Sequence, residues 1–187
     1  MKEIEILVKV NEDIDKVNEV LSSFKYVGTK SFFDEYYYDP NNDELKPDSN
    51  NRLTRCLRLR TVEDTYTITY KKDVFDDDKW LYSDEYETKV DSIINMRLIL
   101  DNLRFKKLLE IKSTKTIYQA DKYEITIEEV DNLGLFMEVE YCTNEAVDIK
   151  KVKKEIQNFL DNLGLNVSKE LNMGKPEMMI RENNTIY

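Results

Sequence analysis

Hydrophobic and polar residues alternate with period two along much of this chain, most sharply between Lys122 and Cys142. Two alternating runs there flank Asp131-Asn132-Leu133-Gly134, a pattern that predicts two antiparallel strands joined by a tight turn. Glu124, Thr126 and Glu128 share one face of the first strand; Phe136, Glu138, Glu140 and Cys142 share one face of the second. The opposite faces carry Tyr123, Ile125 and Ile127, then Leu135, Met137, Val139 and Tyr141. The same division opens the chain, where Glu3, Glu5, Leu7 and Lys9 oppose Ile4, Ile6, Val8 and Val10.

Between these runs the period changes. Asn11 is the expected cap of a helix that carries Ile14, Val17, Val20, Leu21 and Phe24 to about Lys25. Residues 27–39 return to strand character, with the aromatics Phe32, Phe33 and Tyr36 to Tyr38 expected to pack beneath a helix. Residues 40–51 form a polar loop. From Leu53 to Thr61 a strand sets Arg58 and Arg60 on the face of Cys56, and the next sets Thr65, Thr67, Thr69 and Lys71 together. The segment KDVFDDDKW reads as a solvated acidic loop with Trp80 exposed. Ser83, Glu85, Glu87 and Lys89 then alternate with Tyr82, Tyr86 and Val90. Asp91 or Ser92 caps a second helix; residues 105–118 form a strand bearing Lys115; a third helix over 146–164 is closed by Gly164. The tail from Asn166 carries weak signals. Eight strands and their helices in this order predict an α+β fold with a large, mostly antiparallel sheet.

Composition narrows the class. Of 187 residues, 41% are hydrophobic and 35% charged, with only 4 Gly and 3 Pro, so the chain can bury a core and is not low-complexity. A formal charge of −10 opposes general binding to nucleic acid or anionic membranes. Histidine is absent, which removes Ser-His and Cys-His nucleophile pairs and His-based zinc sites. Cys56 and Cys142 lack metal-type spacing and are expected as buried free thiols, consistent with a reducing cytoplasm. The start MKEIEILVKV reads as no signal peptide, and no segment is apolar long enough to span a bilayer.

The charged faces carry the chemistry. Glu3, Glu5, Glu85, Glu87, Glu128, Glu138 and Glu140 lie with Arg58, Arg60, Lys71 and Lys115 on strands whose other face is apolar. On an open sheet they would form an ordinary solvated surface. In a sheet closed with its polar side inward they would line a wet lumen. Crowded carboxylates there need cations, and oxygen ligands suit Mg²⁺ or Mn²⁺. The basic set would take phosphate, so the two together suit phosphoryl chemistry.

These residues carry a resemblance. Glu3-Ile-Glu5, Asp34-Glu-Tyr-Tyr-Tyr-Asp39-Pro, Leu57-Arg-Leu-Arg60, Ile68-Thr-Tyr-Lys71, Glu85-Tyr-Glu87, Lys112 to Lys115 and Ile127 to Glu140 follow one another in order. The ordered set resembles the CYTH domain, or triphosphate tunnel metalloenzyme, and within it the branch that includes class IV adenylyl cyclases. The resemblance implies an eight-stranded antiparallel closed β-tunnel with helices packed outside, in one domain over 1–187. It implies metal held by Glu3, Glu5, Glu138 and Glu140 with Glu85, Glu87 and Glu128 assisting, and phosphate held by Arg58, Arg60, Lys71 and Lys115. Glu138, Glu140 and Glu5 are the expected catalytic residues. Three positions depart from the family pattern. Leu7 stands in the lysine slot of its ExExK motif, with Lys9 expected to compensate; Asp84 replaces an arginine before the second Glu pair; Lys115 stands where arginine is common.

The expected function is hydrolysis of a nucleoside, thiamine or inorganic triphosphate with Mg²⁺ or Mn²⁺, favoured slightly over formation of cyclic AMP from ATP. A non-catalytic polyphosphate- or nucleotide-binding module is the reading that Leu7 supports, and an open polar sheet would instead make a structural or partner-binding domain. Trp80 is placed at a tunnel mouth. The expected partner is a small-molecule triphosphate, with no nucleic acid polymer, no membrane and a homodimer left open; the expected compartment is the cytoplasm.

Overall fold

The computed structural model of the protein describes residues 1–182. Eight strands, β1 (Lys2–Lys9), β2 (Lys25–Tyr38), β3 (Arg55–Val62), β4 (Thr65–Asp76), β5 (Lys79–Val90), β6 (Lys106–Ala120), β7 (Tyr123–Val130) and β8 (Gly134–Thr143), close into a barrel. Their order around it is β1-β5-β4-β3-β2-β6-β7-β8, and every neighbouring pair is antiparallel. Four α-helices accompany it: α1 (Ile14–Leu21), α2 (Ile93–Asn102), α3 (Ile149–Asn162) and α4 (Lys175–Glu182). The expected closed sheet of eight strands is thus the observed one. The expected single domain runs on to residue 187, and residues 183–187 lie outside the described residues.

Closure follows from where apolar area can be buried. Ile4, Ile6, Val8, Ile125, Ile127, Met137 and Val139, the apolar faces of β1, β7 and β8, form one core with Val17 and Leu21 of α1 and Val152, Ile156 and Leu160 of α3. A second outer core joins Leu59 of β3 and Tyr37 of β2 to Leu100 of α2. Since helices cover the outside, the alternating pleat turns the charged faces inward, and each register sets carboxylates and cations at similar depth. Glu5 pairs with Glu140, Lys115 with Glu128, and Lys71 with Glu85.

The β7–β8 turn forms as expected, with Asn132 at φ 66° and Gly134 at φ 108°, backbone geometry that favours these two residue types. Elsewhere the structure departs from the pattern. The cap of α1 is Asp13, whose carboxylate accepts from Asp15 N at 2.9 Å, because the helix starts only at Ile14, two residues later than an Asn11 cap would give; Asn11 N donates instead to Asn166 O. The acidic segment after Lys71 is a loop only at its centre: β4 runs on to Asp76 and β5 starts at Lys79, which leaves Asp77 and Asp78 as the exposed turn of a long hairpin. Trp80 is consequently buried, 4% exposed, with Nε1 donating to Ser83 Oγ at 3.1 Å and its ring stacked on Phe75. Of the two free thiols, Cys142 is exposed rather than buried, at the end of β8. Phe32 and Tyr36 face the lumen, since the pleat that turns Tyr37 to the helix side turns its neighbours inward.

Candidate active site in the barrel lumen

The lumen has a wider and a narrower compartment. The wider one, about 310 Å³, is lined at its mouth by Met1, Glu85, Glu87, Glu124 and Cys142 and deeper by Glu3, Glu5, Glu138, Glu140 and the four strand cations. The narrower one is only about 80 Å³ and ends against Trp80 and residues 174–177 of the α4 region. Room for a polyanion therefore lies on the mouth side.

Two groups of acids occupy the wall, and they are compensated unequally. In the first, Lys71 Nζ lies 2.8 Å from Glu3, 3.4 Å from Glu5 and 3.2 Å from Glu85. Glu140 has no ion-pair partner among the described residues, yet one oxygen each of Glu3, Glu5 and Glu140 lie within 4.8 Å of one another. Burial would raise the Glu3 carboxyl, but Lys71 and hydrogen bonds from Glu140 and Glu85 bring it below the usual range. Burial, with the charges of Glu3 and Glu138, pushes Glu5 up to about 8. Burial and the neighbouring Glu3 push Glu140 up to about 10. Such crowding marks a place short of positive charge. Three convergent carboxylates are hard oxygen donors, and they fit a divalent ion such as Mg²⁺ or Mn²⁺.

The second group is Glu128 and Glu138. Lys115 Nζ is 3.4 Å from Glu128 and 3.8 Å from Glu138. Lys175 of α4 binds both, its Nζ 2.5 Å from Glu138 Oε1 and paired with Glu128 Oε2. Despite burial, these two ammonium groups hold both carboxyls below the usual carboxylate range.

Facing the acids, Arg58 Nη2 donates to Thr69 Oγ1 at 3.2 Å, and Thr69 in turn donates to Glu87 at 2.7 Å. Arg58 Nε is buried and has no hydrogen-bond partner. Arg60 is gripped on one edge by Asp34, Nε to Oδ1 and Nη2 to Oδ2 both at 2.7 Å, and its guanidinium lies 4.9 Å from the Phe32 ring. Despite burial, Asp34 is held below the usual carboxylate range by Arg60.

Eleven of the expected site residues therefore line one lumen. Lys9 does not: it lies exposed at the end of β1, where its backbone donates to Ser168 Oγ and accepts from Ser168 N. Glu87 is at the rim and half-exposed. Asp34, Asp73 and Lys175 are charged lumen residues that lay outside the expected set. Asp34 stood inside a quoted motif without a role. Asp73 sits where β4 was expected to have become a loop; burial pushes it up to about 6, and it accepts from Ser83 Oγ. Lys175 belongs to an eight-residue helix with a mixed face, KPEMMIRE, whose signal was the pairing of a Gly-Lys-Pro start with an apolar Met-Met-Ile run.

A closed antiparallel barrel with a carboxylate triad opposite a basic bank defines a class of anion-binding tunnel with room for a cation. The CYTH domain profile matches residues 1–171, and the chain belongs to the CYTH domain family. A protein of Methanocaldococcus jannaschii, named as a candidate adenylate cyclase, is 31% identical over 183 residues, covering 97% of this chain and 99% of its own. Among solved structures, a Pyrococcus horikoshii protein superposes with a TM-score of 0.81 at 24% identity, covering 96% of this chain and 99% of its own. A Hippeastrum protein, described as a candidate adenylyl cyclase with a dominant triphosphatase activity, superposes at 0.66 with 16% identity, covering 99% and 97%.

Proposed function

We propose that the lumen binds the triphosphate group of a small molecule or of inorganic tripolyphosphate and hydrolyses a phosphoanhydride bond with Mg²⁺ or Mn²⁺. The observation that carries this reading is Arg58 Nε, a buried cationic donor without a partner, in the same compartment as the triad Glu3, Glu5 and Glu140, whose three carboxylates share the single ammonium of Lys71. One group wants an anion and the other a cation, and a metal–triphosphate complex supplies both.

Glu3, Glu5 and Glu140 would hold the ion, which when bound neutralises phosphate oxygens and activates the attacking oxygen. Arg58 and Lys71 bind the phosphate chain, and Arg60 offers its edge not held by Asp34. Lys115 stands between the phosphate side and Glu128 and Glu138. Glu138 remains ionised beside its two lysines and serves as a fixed acceptor close to the reacting end. Water is the expected nucleophile, because it needs no further pocket.

The test is incubation of the protein with tripolyphosphate, thiamine triphosphate and ATP, each with Mg²⁺ or Mn²⁺, followed by identification of products. Orthophosphate released only with metal is the expected result; no turnover of any of the three would overturn it. Cyclisation of ATP is the second reading, favoured by the name of the M. jannaschii relative. Cyclic AMP as the main product would put it first, and metal-dependent binding without any product would instead indicate a non-catalytic module.

A further inference from the structure

The segment before α4 is laced along the end of β1. Asn11 N donates to Asn166 O, Ser168 N to Lys9 O and Leu171 N to Leu7 O, and Val10 bridges Val167. Leu7, on the lumen face of β1 two residues beyond Glu5, packs with Phe136, Ile111 and Val130 into an apolar floor, and Ile180 of α4 is fully buried on it. Glu177, itself buried, accepts from Leu53 N and pairs with Arg181, which ties the helix to the approach to β3. These contacts fix the first turn of α4 over the narrower end, and Lys175, 7% exposed, points its ammonium between Glu128 and Glu138. The apolar side chain at position 7 is thus part of the floor that seats the helix, and the helix returns a cation to the part of the lumen where β1 has none.

We propose that Lys175 is a built-in counter-cation that occupies a second cation position of the lumen, so that the protein takes one divalent ion at Glu3, Glu5 and Glu140 and none at Glu128 and Glu138. The charge arithmetic favours this division. Glu128 and Glu138 form ion pairs with two ammonium groups, Lys115 and Lys175, whereas among the described residues Glu3, Glu5 and Glu85 share the one ammonium of Lys71 and Glu140 has no ion pair. A free divalent ion goes where positive charge is lacking, and removing Lys175 creates a second such place with two carboxylates already convergent on it. Lys175 is a positioning residue in this scheme, and its positive charge also adds to the field inside the lumen that attracts a polyanion. The inference rests on the metal–triphosphate reading for its biological sense, but its physical content is the number of cation positions.

Two binding measurements with opposite expected signs test it. Mn²⁺ titration of the substrate-free protein, followed through the paramagnetic resonance signal of free Mn²⁺, should give one site in the wild type. Lys175→Met should show a second site or at least a tenfold gain in affinity, while Lys175→Arg, which keeps the charge, should match the wild type. Tripolyphosphate binding measured in EDTA should weaken in Lys175→Met, because one lumen charge is lost. Damage to the fold would weaken both, and the melting temperature of each variant checks for it. No gain of Mn²⁺ by Lys175→Met, or an equal gain by Lys175→Arg, would overturn the inference. A wild type that neither binds nor cleaves any triphosphate, alongside the expected Mn²⁺ pattern, would sink the functional reading and leave the Lys175 counter-cation standing.

Discussion

Arg58 and Glu138 illustrate how two charged residues in one lumen acquire different duties. Arg58 has a donor to spare, so its energy is available to a ligand; a charge-assisted hydrogen bond is worth roughly 1.5–3 kcal/mol. Arg58→Ala should therefore raise KM for tripolyphosphate roughly 10- to 150-fold and change kcat less, read from steady-state phosphate release. Glu138 is already saturated by Lys115 and Lys175, and its carboxylate is held in place rather than left to bind. Glu138→Gln should lower kcat more than it raises KM; full activity on every triphosphate would show that its charge plays no part in turnover. Arg60 differs again. With one edge committed to Asp34, its substitution by Lys loses the bidentate pair, and Asp34 becomes a buried carboxylate with a poorer partner.

At the scale of elements, the barrel wall separates stability from chemistry. Ile156 of α3 is fully buried against the outer faces of β1, β7 and β8, while the same strands present Glu3, Glu5, Glu128 and Glu138 on the inside. Ile156→Ala should destabilise the fold by about 2–5 kcal/mol in urea unfolding, with KM near the wild-type value, because no lumen residue loses a neighbour. The strands were legible because alternation is a local property, and β1, β7 and β8 announce it residue by residue. The β4–β5 hairpin was not, since Asp76, Asp77 and Asp78 look like loop residues, and only Asp77 and Asp78 form its turn while Asp76 already pairs with Lys79. Helix α4 was missed for a related reason: eight residues with three apolar side chains have little periodicity, and their helical state depends on the floor beneath Ile180.

For the whole molecule the dominant fact is a lumen with more carboxylates than cations. In metal-free protein Glu5 and Glu140 are pushed up to about 8 and about 10 by burial and by each other's neighbours. A carboxyl with a raised folded-state pKa binds more protons folded than unfolded, so stability falls as pH rises from the unfolded value near 4.5 through the folded one. Glu3, Glu128 and Glu138 are lowered and act with the opposite sign, but only below about pH 4.5, so they do not offset the loss above it. The melting temperature in EDTA should accordingly decrease between pH 5 and about pH 9. Excess Mn²⁺ should raise it, and raise it most at the upper end, since an ion binds deprotonated triads and stabilises the folded state by mass action. Equal melting curves with EDTA and with Mn²⁺ at pH 8 would count against a metal position in the lumen. The net charge of −10 adds to the same trend, and salt alone should recover only the screened, outer part of it.

The sequence by itself determined the class of fold, the faces of the strands and most of the charged set, because a period of two assigns every second side chain to one side without reference to the rest of the molecule. It also carried the ordered motifs of the family. Tertiary structure alone decided which side was inside, how the acids divide into a fully compensated pair and an under-compensated triad, and which cations do the compensating. That division depends on register between strands and on a helix arriving some 170 residues after β1 begins. Lys9 and Lys175 show the difference. The first shares a strand face with Glu5 and lies beyond the lumen; the second shares nothing with it in sequence and ends within 2.5 Å of Glu138. Distance along the chain does not measure electrostatic distance once a floor of Leu7, Phe136 and Ile180 has brought the two ends together.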